Sequence, residues 1–200
     1  MPVILGTGAY RYEVVDQWAK LPPGREFNAD VAAVGVDAQD RVYAFNRGQH
    51  PMVVFDRDGN FLRSWGEGVF RRAHGVHMAP DDTIWLTDDG DHTVRHCTLE
   101  GKVRLTLGVP GAPKPYMSGE PFHRCTHTTL SPQGDLYVSD GYGNARVHKP
   151  GQFVSPHGLA VDSRGDIYVG EVSFTNWGNR YKGQPFPPGL RSLQKLVKVR

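Results

Sequence analysis

Apolar residues occur along this chain in short bursts, and Asp-, Gly- and Pro-containing turns separate them. Brief apolar runs bounded by turn formers read as β-strands rather than helices. One phrase recurs four times: a polar Asp/Gly turn, a β-branched residue or leucine, an aromatic, then a further strand. The copies are DRVYAFNRG (40–48), DDTIWLTDDG (81–90), QGDLYVSDGYG (133–143) and RGDIYVGEVS (164–173). An apolar strand precedes each: VAAVGVDA (31–38), HGVHMAP (74–80), HTTLSP (127–132) and HGLAVDS (157–163). After the first phrase, MVVFDRDGNFLRSWG (52–66) reads as two strands joined by an Asp-Gly turn, a strong hairpin signal.

One full unit is therefore four strands, the content of one β-propeller blade, and self-similarity at roughly 40 residues marks such repeat folds. The expected fold is all-β: one NHL-type propeller domain over 1–200, with blades near 31–66, 74–107, 127–149 and 157–199. Tyr43, Trp85, Tyr137 and Tyr168 fall on the second strand of each blade and are expected in the core. The N-terminal YRYEVVDQWAKLPPGREF (10–27) resembles the blade end GNFLRSWGEGVF (59–70), with Trp18 in the place of Trp65. That segment is expected to donate an outer strand to the last blade, closing the ring by pairing the two termini. An ordinary leading strand is the alternative.

The spacing is uneven. The four aromatics are separated by 42, 52 and 31 residues. The long interval holds a Pro/Gly-rich loop, GVPGAPKPYMSGEPFHRC (108–125). In the short one, NARVHK (144–149) runs directly into the next blade, without the outer strand that follows the first phrase. About 15 residues are missing even for four complete blades. The expectation is an incomplete or shortened ring, with an internal deletion at 149/150.

Composition narrows the class. The hydrophobic share of 38% is that of a globular chain able to form a core. A net charge of +2 implies neither nucleic acid nor a membrane surface as partner. Arg191, Lys195, Lys198 and Arg200 make a small basic end that reads as a solvated strand face. No apolar run approaches the ~20 residues needed to span a bilayer. The N-terminus lacks the pattern of a signal peptide, and Cys97 and Cys125 are too few for a disulfide framework. Reduced thiols and a cytoplasmic location are expected.

FNRGQH (45–50), FDRDGNFLRSWG (55–66), AHGV (73–76), YVSDGYGNARV (137–147) and SPHGLAVDSRGDIYVGEVSFTN (155–176) carry a more specific resemblance. From Tyr10 to Val199 the chain resembles the six-bladed NHL-repeat propellers, and among them peptidyl-α-hydroxyglycine α-amidating lyase and its bacterial look-alikes. Against that family the chain lacks about two blades. The resemblance implies a carbon–nitrogen lyase acting on a small-molecule or peptide C-terminal substrate, releasing an amide and glyoxylate. It implies zinc (Zn2+) held by axial histidines, acting as a Lewis acid on the substrate hydroxyl.

His74 and His157 match metal-ligand positions of the family. The middle ligand belongs to the absent blades; His127, at the corresponding turn of the third blade, substitutes as third ligand only if the ring has rearranged. Without the resemblance, these histidines read as inter-blade residues bonded to backbone. Arg47 matches an active-site arginine, suited to a substrate carboxylate or to developing charge. Tyr142 matches a general base, which needs a pKa well below its reference of about 10. Asp140 and Asn144 beside it are expected to fix the turn. Gly158 replaces an aspartate that helps bind calcium in the animal lyase, which puts a structural Ca2+ in doubt. A non-enzymatic NHL-repeat platform, binding a ligand or a protein partner on its rim, is the alternative function, and a homodimer is a further way to complete the ring.

Overall fold

The computed structural model describes residues 3–132, 134–148, 156–164, 166–180, 182–186, 190 and 192–197. The expected deletion point at 149/150, and Arg191, Lys198 and Arg200 of the basic end, lie outside the described residues. The chain opens with a small antiparallel hairpin, β1 (Ile4–Thr7) and β2 (Tyr10–Glu13). Four antiparallel sheets then follow in chain order.

The first sheet contains β3 (Val31–Val36), β4 (Val42–Asn46), β5 (Met52–Phe55) and β6 (Phe61–Trp65). The second contains β7 (Ala73–Met78), β8 (Thr83–Asp88), β9 (Thr93–Thr98) and β10 (Val103–Leu107). The third joins β11 (His127–Leu130), β12 (Leu136–Asp140) and, after the one-turn helix α1 (Gly141–Asn144), β13 (Arg146–His148). The fourth joins β14 (Pro156–Val161), β15 (Ile167–Glu171) and, after α2 (Ser173–Arg180), β16 (Leu193–Leu196). Each sheet is a simple meander, and contacts pass from β3 to β7, to β11, to β14. This is the all-β, propeller-type arrangement that the repeated phrase predicts. Among the described residues no helix is long and apolar enough to cross a membrane.

The repeat has a local cause. Asp37, Asp56 and Asp162 each use Oδ1 to accept the backbone N–H groups two and four residues further on, at 2.8–3.0 Å. An aspartate that satisfies its own turn in this way competes with helix formation and fixes the strand-to-strand connection. The phrase aromatic then closes over it: the Tyr43 hydroxyl donates to Asp37 at 3.0 Å, and that of Tyr168 to Asp162 at 3.2 Å.

Sheets pack face to face. Tyr43, Phe45, Met52 and Val54 of the first sheet meet Val76, Ile84, Leu86 and Cys97 of the second. Trp85 and Val94 meet Cys125 and Val138 of the third, and Val147 meets Leu159, Ile167 and Val169 of the fourth. Phe45 and Met52 are fully buried, each burial being worth about 1.5–3 kcal/mol.

The N-terminal segment departs from expectation. Among the described residues its strands do not pair with the last sheet: β1 and β2 pair with each other, and β16 lies beside β15. Instead, Trp18, Leu21 and Phe27 cover the second face of the first sheet, over Ala44, Val53 and Phe55. Trp18 packs on Phe55 with ring centroids 5.5 Å apart and donates its indole N–H to the Arg57 carbonyl at 3.2 Å. The physical reason is that the first sheet is apolar on both faces, and a segment directly ahead of it in sequence reaches the open face at little entropic cost. The correspondence of Trp18 with Trp65 survives. Trp18 lies over the tight turn at Gly59 and Trp65 over that at Gly101; both glycines have positive φ, and a Cβ would strike the Trp18 backbone carbonyl at Gly59 and the Trp65 indole at Gly101.

Candidate functional site

The inner strands β3, β7, β11 and β14 surround a cavity lined by Ala33, His74, Thr126, His127 and His157. His74 stands on β7, His127 on β11 and His157 on β14, so histidines far apart in sequence share one axial space. Tyr142 reaches the same place from α1. Asp140 and Asn144 build that turn: Asp140 accepts the His123 N–H and the Asn144 amide, each at 2.9 Å, while Asn144 accepts the Gly119 N–H at 2.8 Å.

His74, Tyr142 and His157 form a triangle of rings. Centroid separations are 5.4 Å for His74–Tyr142, 5.2 Å for His74–His157 and 5.9 Å for Tyr142–His157, all edge-on. His74 Nδ1 lies 2.8 Å from the Thr126 carbonyl. A carbonyl only accepts, so Nδ1 carries the proton and Nε2 keeps its lone pair. That Nε2 is 3.2 Å from the Tyr142 hydroxyl, which donates to it. The backbone bond expected of an inter-blade histidine is therefore present, and it orients the other nitrogen into the site.

Electrostatics keep the group neutral. Burial lowers the His74 pKa, opposed by Asp89 and the Thr126 bond and reinforced by His157 and Arg47. Burial also lowers that of His157, and burial together with His77, His157 and His74 pushes His127 down to about 4. Tyr142 runs against expectation. Burial, then Asp89, raise its pKa, and the pull of Arg124, Arg47 and Arg72 does not reverse this. At neutral pH Tyr142 is a hydroxyl donor, not a ready phenolate.

Arg47 follows β4 and faces the same group across the first two sheets. Its Nε donates to the Ala73 carbonyl at 3.3 Å, and its NH1 pairs at 3.3 Å with Asp30, whose side chain is 81% exposed. For the implied zinc, His74 Nε2 and the adjacent His157 ring are suitable donors. Among the described residues, however, no three His, Cys, Asp or Glu side chains converge closely enough to hold a metal ion. His127 shares the cavity without completing such a set. The residues as placed do not fit a three-histidine zinc site.

Three participants escaped the sequence. Asp89 is fully buried and receives Arg72 at 3.2 Å and Arg124 at 2.9 Å. The Arg124 guanidinium lies 4.9 Å from the centre of the Tyr142 ring. Asp89 is 35 positions from Arg124, and no motif joins them. Only the Arg71–Arg72 pair beside AHGV gave a local hint.

No protein-family model matches the chain. Human NHL repeat-containing protein 3 is 29% identical over 191 residues, covering 81% of this chain and 54% of that protein. Peptidyl-alpha-hydroxyglycine alpha-amidating lyase 1 of Drosophila melanogaster is 37% identical over 94 residues, covering 46% of this chain and 17% of the lyase. The chain thus spans about half the human protein and a smaller part of the fly lyase. Among solved structures, virginiamycin B lyase from Staphylococcus aureus superposes with a TM-score of 0.53 at 14% identity, over 70% of this chain and 48% of that one; this likeness concerns the fold. Its repeated blades and these relatives make the chain a homologue of NHL repeat-containing proteins and of amidating-lyase domains, with a propeller-type fold.

Proposed function

We propose that the chain is a lyase of the amidating type, which splits an N-acyl-α-hydroxyglycine into an amide and glyoxylate. The His74–Tyr142–His157 triangle, assembled from two different sheets and the helix α1, is the observation that carries this reading. The Drosophila relative's name supports the reaction class.

The side chains present suit the proton movements. The substrate hydroxyl loses its proton, its O–H electron pair becomes the new C=O, the C–N bond breaks, and the nitrogen takes a proton. Tyr142 accepts the hydroxyl proton while passing its own to His74 Nε2, the bond between them being already formed at 3.2 Å. The pair then returns the proton to the departing amide nitrogen, so protons balance. Neutral His74 and protonated Tyr142 are the states this relay starts from. Arg47 offsets negative charge that develops on the substrate oxygen.

Glyoxylate release from N-acetyl-α-hydroxyglycine tests the reading. Turnover that falls by roughly 100-fold or more in Tyr142→Phe and His74→Gln supports it, on the scale of a lost acid–base group. No glyoxylate from folded wild-type protein sinks it. A second reading, a non-catalytic binding propeller, is favoured by the human NHL repeat-containing relative, which matches 81% of the chain against 46% for the fly lyase. Zinc retained at one ion per chain after dialysis would restore the metal-assisted form of the first reading.

A further inference from the structure

Beside the ring triangle lies a cluster that the relay does not use. Asp89 is held with its side chain at 0% exposure, yet it is saturated on one oxygen only. Arg72 NH1 and Arg124 Nε and NH2 all address Oδ2, at 3.2, 3.3 and 2.9 Å, while Oδ1 is buried without a hydrogen-bond partner. Neither arginine forms the two-oxygen fork that would occupy its planar donor array. A guanidinium carries five N–H donors; toward Asp89, Arg72 commits one and Arg124 two. Two cations thus share one carboxylate, and both side chains stay partly open, at 43% and 38%.

The cluster is aimed at the site. Arg124 stacks over the Tyr142 ring at 4.9 Å, and Arg72 lies two residues ahead of His74. Asp89 is the largest single charge acting on His74, and Arg124, Arg47 and Arg72 all act on Tyr142. Asp89 is thus a built anchor: a buried anion that tethers two arginines, of which Arg124 lies over the face of the Tyr142 ring.

From this geometry we infer that Arg72 and Arg124 form a carboxylate clamp, which binds the acid group of a small N-acyl amino acid with its α-carbon over Tyr142, and that Asp89 is the positioning residue of the clamp. The inference deepens the lyase reading, on which its choice of ligand rests. It assigns the substrate carboxylate to Arg72 and Arg124 and leaves Arg47, which is engaged with the Ala73 carbonyl and Asp30, to the developing charge.

The test is binding, measured by calorimetry on the full chain without turnover, with N-acetylglycine and its neutral analogue N-acetylglycinamide. Wild type is expected to prefer the acid by roughly 10- to 100-fold, the scale of one or two charge-assisted hydrogen bonds. Arg124→Gln and Arg72→Gln should each reduce that preference at least severalfold, with unchanged near-ultraviolet dichroism, while Arg124→Lys restores part of it. Equal binding of acid and amide, no binding of either, or a preference untouched in both glutamine variants overturns the clamp. So does inorganic phosphate that displaces the acid at lower concentration, since the site would then be a phosphate site. If the acid is preferred and the arginines matter, but N-acetyl-α-hydroxyglycine releases no glyoxylate, the clamp stands and the lyase reading falls. Where turnover is present, Arg124→Gln should raise KM more than it lowers kcat.

Discussion

Two glycines flank the candidate site, and the structure assigns them opposite consequences on substitution. Gly141 opens the α1 turn that carries Tyr142, and a Cβ built there falls on the Pro156 carbonyl oxygen, with the carbonyl carbon at 2.8 Å and the Pro156 nitrogen at 3.2 Å. All three are backbone atoms of the strand that bears His157, so no side-chain rotation relieves the clash. Overpacking of this kind costs about 1–3 kcal/mol, well above the ~0.4–1 kcal/mol that alanine returns by restricting the unfolded chain.

Gly158, next to His157, has no heavy atom within 4 Å of its Cβ position and no positive φ. Gly158→Ala should therefore be neutral or stabilising by up to about 1 kcal/mol. With a urea m-value of about 1–3 kcal/mol per molar, the two midpoints should differ by roughly 1 M, measured by fluorescence in urea titrations. Gly141→Ala should also separate Tyr142 from His74 and lose glyoxylate release. A Gly141→Ala midpoint equal to wild type at unchanged m, or a Gly158→Ala loss as large as that of Gly141→Ala, refutes the reasoning.

Other outcomes follow from the same structure. Burial of Tyr43, reinforced by Asp37, pushes its pKa up to about 12 from 10. A raised folded value gives stability that is complete below pH 10 and lost as pH rises through 12; by pH 11 the loss is about 1.4 kcal/mol. Tyr43→Phe should remove that part of the alkaline loss in urea titrations at pH 8 and 11, and parallel pH profiles would contradict it. Burial raises the Cys97 thiol to about 11 and Cys125 further, with Cys125 donating to the Thr93 carbonyl at 3.2 Å. Neither should react with a disulfide reagent at pH 8 until urea unfolds the chain. Trp18→Ala should cost about 2–3 kcal/mol by uncovering Phe55, whereas an unchanged urea midpoint would mean that the N-terminal segment does not cover the first sheet.

What could be read without coordinates was local. Asp37, Asp56 and Asp162 satisfy backbone donors two and four positions ahead, so at these three strand connections the turn chemistry lies within a five-residue window of sequence. The same holds for Tyr43 over Asp37 and Tyr168 over Asp162, six positions apart. The sequence does not predict helix α2 after β15, because SFTNWGNR is only eight residues long, polar on average and interrupted by Gly178.

The chain's own pattern thus determined the strands and the propeller class, while the resemblance to the amidating lyases named Arg47, His74, His127, Tyr142 and His157 as candidates. Tertiary packing decided the rest. It sent Trp18 to the first sheet rather than the last, because an apolar face lay within short reach. It raised the Tyr142 pKa, because burial and the charge of Asp89 outweigh three arginines at that depth. It also joined His74 to Tyr142 across 68 residues and Arg124 to Asp89 across 35. Such pairs depend on how one sheet seats against the next, which no local spacing encodes.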